Sequence, residues 1–285
     1  MLRDSISYRK MEDFEVTTTN WKVMPQSVNG EQLFVIGDVH GQAGALSATL
    51  SALAEIDRTA KRRRLVFLGD LIDRGPASLE VIDLVEKAKS QALVDYVVVL
   101  PGNHELMLLD ALDDPMMFMG DWLDNGGQEL ILEAVPNCTV RLLADFAAIA
   151  RRAIPMSFLE QIQNGPTSLQ IGDILLVHAG LNPEREASDF LSEPRQGVVG
   201  NDHWAWIRDP FLHWQGGWGH NREWAVIHGH TPAVNKPVTA QKFEAVADKL
   251  SDCSRICLDA GAANGVPQIA WAEFHDARYR IGVTN

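Results

Sequence analysis

The sequence predicts an α/β fold, and two observations carry that expectation. Short, continuous apolar runs recur along the chain: LFVI (Leu33 to Ile36), LVFL (Leu65 to Leu68), VVVL (Val97 to Leu100), ILLV (Ile174 to Val177) and AVI (Ala225 to Ile227). Each is too continuous for a half-exposed strand and reads as one buried on both faces. Helical spacing separates the first three runs. Leu46, Leu50, Leu53 and Ala54 recur at i, i+4, i+7 and i+8, and Leu79, Ile82 and Val85 lie three apart behind Pro76, a first-turn proline. The resulting β-α-β-α-β order means parallel strands with right-handed crossovers.

The remaining elements come in order. Residues 1–30 are polar, lack periodicity and end in the turn dipeptide Asn29-Gly30, so they read as a surface extension ahead of one domain spanning 31–285. From Leu106 to about Gln163 the pattern is helical, broken at Asp124-Asn125-Gly126-Gly127 and stopped at Pro136 and Pro155; this reads as a helical insertion. SLQIGDILLV carries a Gly172-Asp173 turn between two apolar runs and predicts a hairpin, and RICLDAGA, QIAWAEF and RYRIGV read as further strands.

Composition narrows the function. A chain of 285 residues builds a core without metal or disulfide staples, so a metal here is expected to be functional. The formal charge of −13 argues against duplex nucleic acid as a partner, since nonspecific affinity for phosphates comes from lysine and arginine. Cys138, Cys253 and Cys257 match no zinc pattern and suit a reducing compartment, hence a cytoplasmic location. The opening MLRDSISYRKMEDFEV lacks the apolar core of a secretion signal, and no run approaches the ~20 residues of a membrane span.

The informative pattern lies immediately after each apolar run. LFVI leads into Gly37-Asp38-Val39-His40-Gly41, LVFL into Gly69-Asp70-Leu71-Ile72-Asp73-Arg74-Gly75, and VVVL into Pro101-Gly102-Asn103-His104-Glu105. ILLV leads into His178-Ala179-Gly180 and AVI into His228-Gly229-His230-Thr231. Five strands thus end in metal-ligand types beside glycine, at the edge where open α/β sheets place their sites. Asp38 and His40, two apart, share a face if strand geometry persists. Asp70 can bridge, because one carboxylate reaches two cations at ~3.5–4 Å separation; Asn103, His178 and His230 would complete the second ion's shell. A donor set of imidazole, carboxylate and amide without thiolate suits manganese first, then iron or zinc. The bland readings are that Asp38 or Asp70 caps a helix, that His178 is a hydrogen-bonded interior histidine, and that Asn103 is a turn residue.

GDVHG, GDLIDRG, GNHE, HAG and GHTP, in this order, resemble the phosphoprotein phosphatase branch of the calcineurin-like metallophosphoesterases, especially its bacterial and phage members; DWLDNGG (121–127) and LDAGA (258–262) resemble further segments. The resemblance implies a four-layer αββα fold, a β-sandwich flanked by helices, with residues 31–285 as the catalytic domain. It assigns Asp38, His40 and Asp70 to a first metal, and Asp70, Asn103, His178 and His230 to a second. His104 becomes the general acid, held by Asp73, with Arg74 and Arg208 binding phosphate. His228, preceding GHT where an apolar residue is common, is left as an interior histidine, and Ala260 replaces a common threonine.

These roles imply a phosphomonoesterase of the serine/threonine protein phosphatase type, in which a hydroxide bridging the two metals attacks the phosphorus of a phosphoprotein or small phosphoester. The alternative is a dinucleoside polyphosphate hydrolase acting on diadenosine tetraphosphate; its motifs usually read GNHD and lack the aspartate of DRG, whereas this chain has Glu105 and Asp73. An inert binding module is a third reading, opposed by the full set of ligand types. Lys61 to Arg64, at a strand's amino end, reads as a solvated face. Residues 183–224 hold five of the eight tryptophans (Trp204, Trp206, Trp214, Trp218, Trp224). They form either a substrate wall or an aromatic cluster packing its own loop.

Overall fold

The computed structural model describes residues 14 to 198 and 200 to 285. In chain order the strands are β1 (Val16–Thr18), β2 (Lys22–Val23), β3 (Gln32–Ile36), β4 (Arg63–Phe67), β5 (Tyr96–Val99), β6 (Ser168–Ile171), β7 (Ile174–Val177), β8 (Ala225–His228), β9 (Arg255–Cys257), β10 (Ile269–His275) and β11 (Arg278–Thr284). The helices are α1 (Ala43–Glu55), α2 (Ser78–Gln91), α3 (Asn103–Asp113), α4 (Pro115–Trp122), α5 (Gln128–Ala134), α6 (Leu143–Ala153), α7 (Met156–Asn164), α8 (Ala187–Leu191), α9 (Ala240–Ala247) and α10 (Leu250–Cys253). A π turn, Leu123–Gly127, joins α4 to α5 where the sequence breaks at Asp124-Asn125-Gly126-Gly127.

One sheet runs β1-β11-β10-β3-β4-β5, with β2 also on β11; the other runs β6-β7-β8-β9. β3, β4 and β5 are parallel, Val35 pairing with Val66 and Val66 with Val98. Period-2 alternation divides their side chains between two cores. Leu33, Val35, Val66 and Leu68 meet Leu176, Ile227, Ile256 and Leu258 of the second sheet. Phe34, Ile36, Leu65 and Phe67 turn outward against Leu46, Leu50 and Leu53 of α1 and Val81, Ile82 and Val85 of α2. Each such fully buried side chain contributes roughly 1.5–3 kcal/mol. The layers are therefore helix, sheet, sheet and an outer cover, the αββα arrangement.

That outer cover is mostly irregular. Trp204, Ile207, Phe211 and Trp218 join the cluster that holds Leu175, Val177 and Val226. Most aromatics of 183–224 thus pack the second sheet, whereas Trp214 is 38% exposed. Residues 103–164 form the helical insertion α3 to α7.

Three local readings change. Residues 1–13 lie outside the described ones, but β1 and β2, inside the stretch read as a surface extension, pair with β11, and Met24 and Val28 are buried. Runs of two and three residues are too short to show a period. β5 is not buried on both faces: it is the edge strand, with Tyr96 51% exposed, so VVVL is half-covered. Pro76 precedes the first helical residue of α2 by two positions, outside the first turn. Among the described residues, no helix is long and apolar enough to cross a membrane.

Candidate metal centre and active site

β3, β4, β5, β7 and β8 end beside one another, and the five motifs leave them at that edge. Neither Asp38 nor Asp70 caps a helix, for α1 begins after Gln42 and α2 after Ala77. Their turns are fixed by main-chain bonds instead: Val39 and His40 each donate to the Asp70 carbonyl at 2.9 Å. Five of the eleven non-glycine residues with positive φ among the described residues are His40, Asp70, Asp73, Arg74 and His230. Such left-handed backbone costs about 1–3 kcal/mol per residue and persists only where the surroundings over-determine it. The glycines supply close approach. A Cβ on Gly102 would overlap Asp70 Oδ1, and one on Gly229 would overlap Asp38 Oδ1.

Donor atoms of His40, Asp70 and His104 lie within 4.8 Å of one another, and so do those of Asp70, His178 and His230. Asp70 belongs to both groups. All four histidines and Asp70 are buried, as are Asp38, Asp73 and Asn103. Asn103 Oδ1 lies 3.1 Å from His178 Nε2 and 2.8 Å from His230 Nδ1. The Asp38 carboxylate accepts the His230 main-chain N–H at 3.1 Å, which ties the β3 turn to the β8 turn.

The outer nitrogen of each ligand-type ring faces a carbonyl, which can only accept. His40 Nδ1 lies 3.1 Å from Ile72 O, His178 Nδ1 2.9 Å from Leu68 O, and His230 Nε2 3.1 Å from Trp206 O. A neutral ring that donates outward presents a lone pair inward. Those inner nitrogens face more acceptors: His40 Nε2 is 3.5 Å and His178 Nε2 3.4 Å from Asp70 oxygens, and His230 Nδ1 faces the Asn103 oxygen. In neutral rings these lone pairs would repel the carboxylate and amide oxygens, so a cation belongs among them: a proton on the rings when no metal is bound, or a divalent ion, which the donor set fits.

Charge obeys the same logic. Burial, then the Asp259 and Asp70 charges, push the Asp38 carboxyl well above the usual range. Burial also opposes ionisation of Asp70, but the His178 and His104 charges and hydrogen bonds from His178 and His40 outweigh it and hold that carboxyl well below. Burial opposes protonation of His40 and His178, and Asp70 overcomes it, raising both. His230 is driven well down by burial and by His178.

Within the first group, His104 Nδ1 lies 2.9 Å from Asp73 Oδ2. Burial pushes the His104 ring down to about 3 and the Asp73 carboxyl well up. A neutral acid against a neutral ring carries the same number of protons as a carboxylate against an imidazolium, so the two opposed shifts leave the proton count of the pair unchanged. Arg74 and Arg208 are both exposed; Arg74 acts electrostatically on His40 and His104, and Arg208 on His230. His228 is an interior histidine, its ring edge-on to Phe211 at 4.9 Å and pushed by burial to about 3.

Three supporting residues carry no role in the sequence reading. The Glu105 carboxylate accepts the N–H groups of Asp70, Leu71 and Gly102 at 2.8 Å, locking the β4 and β5 turns together. Its position as third residue of a helix, where capping glutamates occur, is the available signal. Asp259, in LDAGA, is buried beside Asp38 and accepts the Gly261 N–H at 2.8 Å. Trp122, in DWLDNGG, donates Nε1–H to Asp73 Oδ2 at 2.9 Å.

Comparison with known proteins gives consistent results. The family model described as calcineurin-like phosphoesterase matches residues 32–252. The asymmetrical bis(5'-nucleosyl)-tetraphosphatase of Bacillus velezensis is 29% identical over 217 residues, covering 71% of this chain and 78% of that protein. Serine/threonine-protein phosphatase 1 of Salmonella typhimurium is 28% identical over 208 residues, covering 73% of this chain and 82% of that protein. The symmetrical bis(5'-nucleosyl)-tetraphosphatase of Dechloromonas aromatica is 30% identical over 198 residues, covering 68% of this chain and 61% of that protein.

Proposed function

The chain belongs to the calcineurin-like phosphoesterase family, and within it we propose a phosphomonoesterase of the serine/threonine protein phosphatase type. The family is binuclear and metal-dependent. Asp38, His40 and Asp70 would hold one ion, and Asp70, Asn103, His178 and His230 the other, with manganese as the first candidate and iron or zinc next. The sharing of Asp70 between the two donor groups supports its bridging place; the first group contains His104 and not Asp38. When bound, two dications neutralise phosphate charge and acidify the attacking water.

The protein's own groups do the rest. Arg74 and Arg208 would grip phosphate oxygens, the guanidinium fork matching their geometry. His104 would give its Nε2 proton to the leaving oxygen while Asp73 holds Nδ1, a contribution of roughly 10²- to 10⁴-fold.

The observation that carries the choice of substrate is the buried His104–Asp73 pair at 2.9 Å. A seryl or threonyl alkoxide is a strong base and needs a proton as it departs, whereas a nucleotide departs as a weakly basic phosphate. A held proton donor therefore suits alkyl esters. The tetraphosphatase names among the relatives support the second reading, hydrolysis of dinucleoside polyphosphates. Parallel turnover of a phosphoserine peptide and diadenosine tetraphosphate, with defined divalent metals, tests the choice. Preference for the peptide is expected; a dominant rate on the dinucleotide would replace the first reading with the second.

A further inference from the structure

Asp73 and Arg74 are consecutive, both left-handed (φ 71° and 64°), and both lean on one element of the helical insertion. Trp122, fully buried, donates to Asp73 Oδ2 at 2.9 Å, the same oxygen that faces His104. Among the described residues Asp73 Oδ1 is buried without a partner, and the indole N–H is one of two groups on that carboxyl. One residue along, the Arg74 N–H donates to Gly126 O at 3.1 Å and its Nε to Asn125 O at 3.3 Å. Gly126 has φ 113°, and a Cβ there would stand 2.6 Å from Arg74 Cγ. Gly127 in turn lies flat against the Trp122 indole, where a Cβ would overlap the ring. The π turn and the tryptophan before it therefore form one packed unit whose two ends touch two neighbouring residues.

We infer that Trp122 and the π turn Leu123–Gly127 position both halves of the proton-donor and phosphate-binding machinery, Trp122 by aiming Asp73 at His104 and Gly126 by seating Arg74. This rests on the roles proposed above for His104, Asp73 and Arg74. The physical reason is over-determination: two adjacent strained residues keep one conformation only if each is held separately, and the insertion supplies a hold for each. Trp122 touches neither substrate nor ion; it acts through Asp73.

The test uses the metal-loaded protein and three variants. Trp122→Phe keeps an aromatic ring and removes the N–H. It should lower kcat on a phosphoserine peptide about 10- to 100-fold, as losses of supporting hydrogen bonds do, and that on nitrophenyl phosphate by no more than about threefold, with KM unchanged. Gly126→Ala should raise the inhibition constant of inorganic phosphate about tenfold and leave the ratio of the two substrates alone. A downfield proton resonance of the His104–Asp73 bond, assigned by its loss in His104→Gln, should shift in Trp122→Phe and not in Gly126→Ala. Equal losses on both substrates in Trp122→Phe, with the resonance unmoved, would overturn the tryptophan's role. An unchanged phosphate constant in Gly126→Ala would overturn the glycine's. If His104→Gln itself slows both substrates equally, the general-acid reading fails, and the resonance and phosphate measurements still decide the positioning inference. Should Trp122→Phe not fold, Trp122→His, which keeps a ring N–H, replaces it: a resonance and a substrate ratio both as in wild type support the tryptophan's role, and equal losses on both substrates overturn it.

Discussion

The parallel strands β3, β4 and β5 carry charge at both ends and treat it in opposite ways. At the amino ends, Arg64 donates to Glu31 at 2.8 and 3.1 Å, Arg62 lies 3.5 Å from the same carboxylate, and Arg58 pairs with Asp95. The Arg63 guanidinium donates to the Leu53 and Ile56 carbonyls at 2.8 Å. Each of these cations finds a partner inside the protein. At the carboxyl ends, Asp38, Asp70 and Asp259 crowd together in the interior, ring nitrogens face oxygens, and the backbone turns left-handed. One end closes its electrostatics internally and stabilises the sheet. The other leaves a deficit that an external cation and a phosphate can fill, as expected where stability is given up for chemistry.

The contrast can be broken most forcefully at Asp70. Asp70→Asn should reduce turnover by at least about 10³-fold, with metal analysis falling below two ions per chain; near wild-type rates with two ions bound would show that the carboxylate does not bridge. His104→Gln comes next, with a loss of about 10²- to 10⁴-fold on an alkyl phosphate and little on nitrophenyl phosphate, read from steady-state rates. A smaller effect has the opposite sign. Because burial and neighbouring carboxylates raise the Asp38 pKa, its ionised form costs stability above that pKa. Metal-free Asp38→Asn should therefore melt a few degrees higher than metal-free wild type, roughly 1–2 kcal/mol, though it turns over little.

The smallest effect belongs to the amino end. The Arg64 hydrogen bond holds Glu31 below the usual carboxylate range, against the cost of burial. A depressed folded pKa contributes stability above the unfolded value, and that contribution disappears as pH falls through the folded one. Glu31→Gln should thus cost about 1 kcal/mol at pH 7, and the gap to wild type should close in acid melts below the usual carboxylate range. A gap that stays constant with pH would mean that the pair works by packing alone.

Much of the site is legible because each motif is local. Asp38 and His40, or Asp70, Asp73 and Arg74, lie within a few residues of a strand end, and an apolar run followed by glycine and a ligand type is visible without knowledge of the fold. Glu105, Trp122 and Asp259 are less legible because their partners are distant in sequence: Trp122 reaches Asp73 across 49 residues. Their letters stand in recognisable segments, but no spacing rule says which buried oxygen an indole will meet. The edge strands β1 and β2 are hidden for another reason, since a two- or three-residue strand shows no period and exists only because β11 offers a free edge.

The sequence by itself determines the central strands and helices and the chemical types gathered at the strand ends, since periodicity and turn residues act over a few positions. Only the tertiary structure decides that β5 is an edge, that the outer layer over the second sheet is mostly irregular, and that one tryptophan stands behind the dyad. Those outcomes depend on which surfaces meet after collapse, and burial and hydrogen bonding between distant segments are properties of the packed chain rather than of any stretch of it.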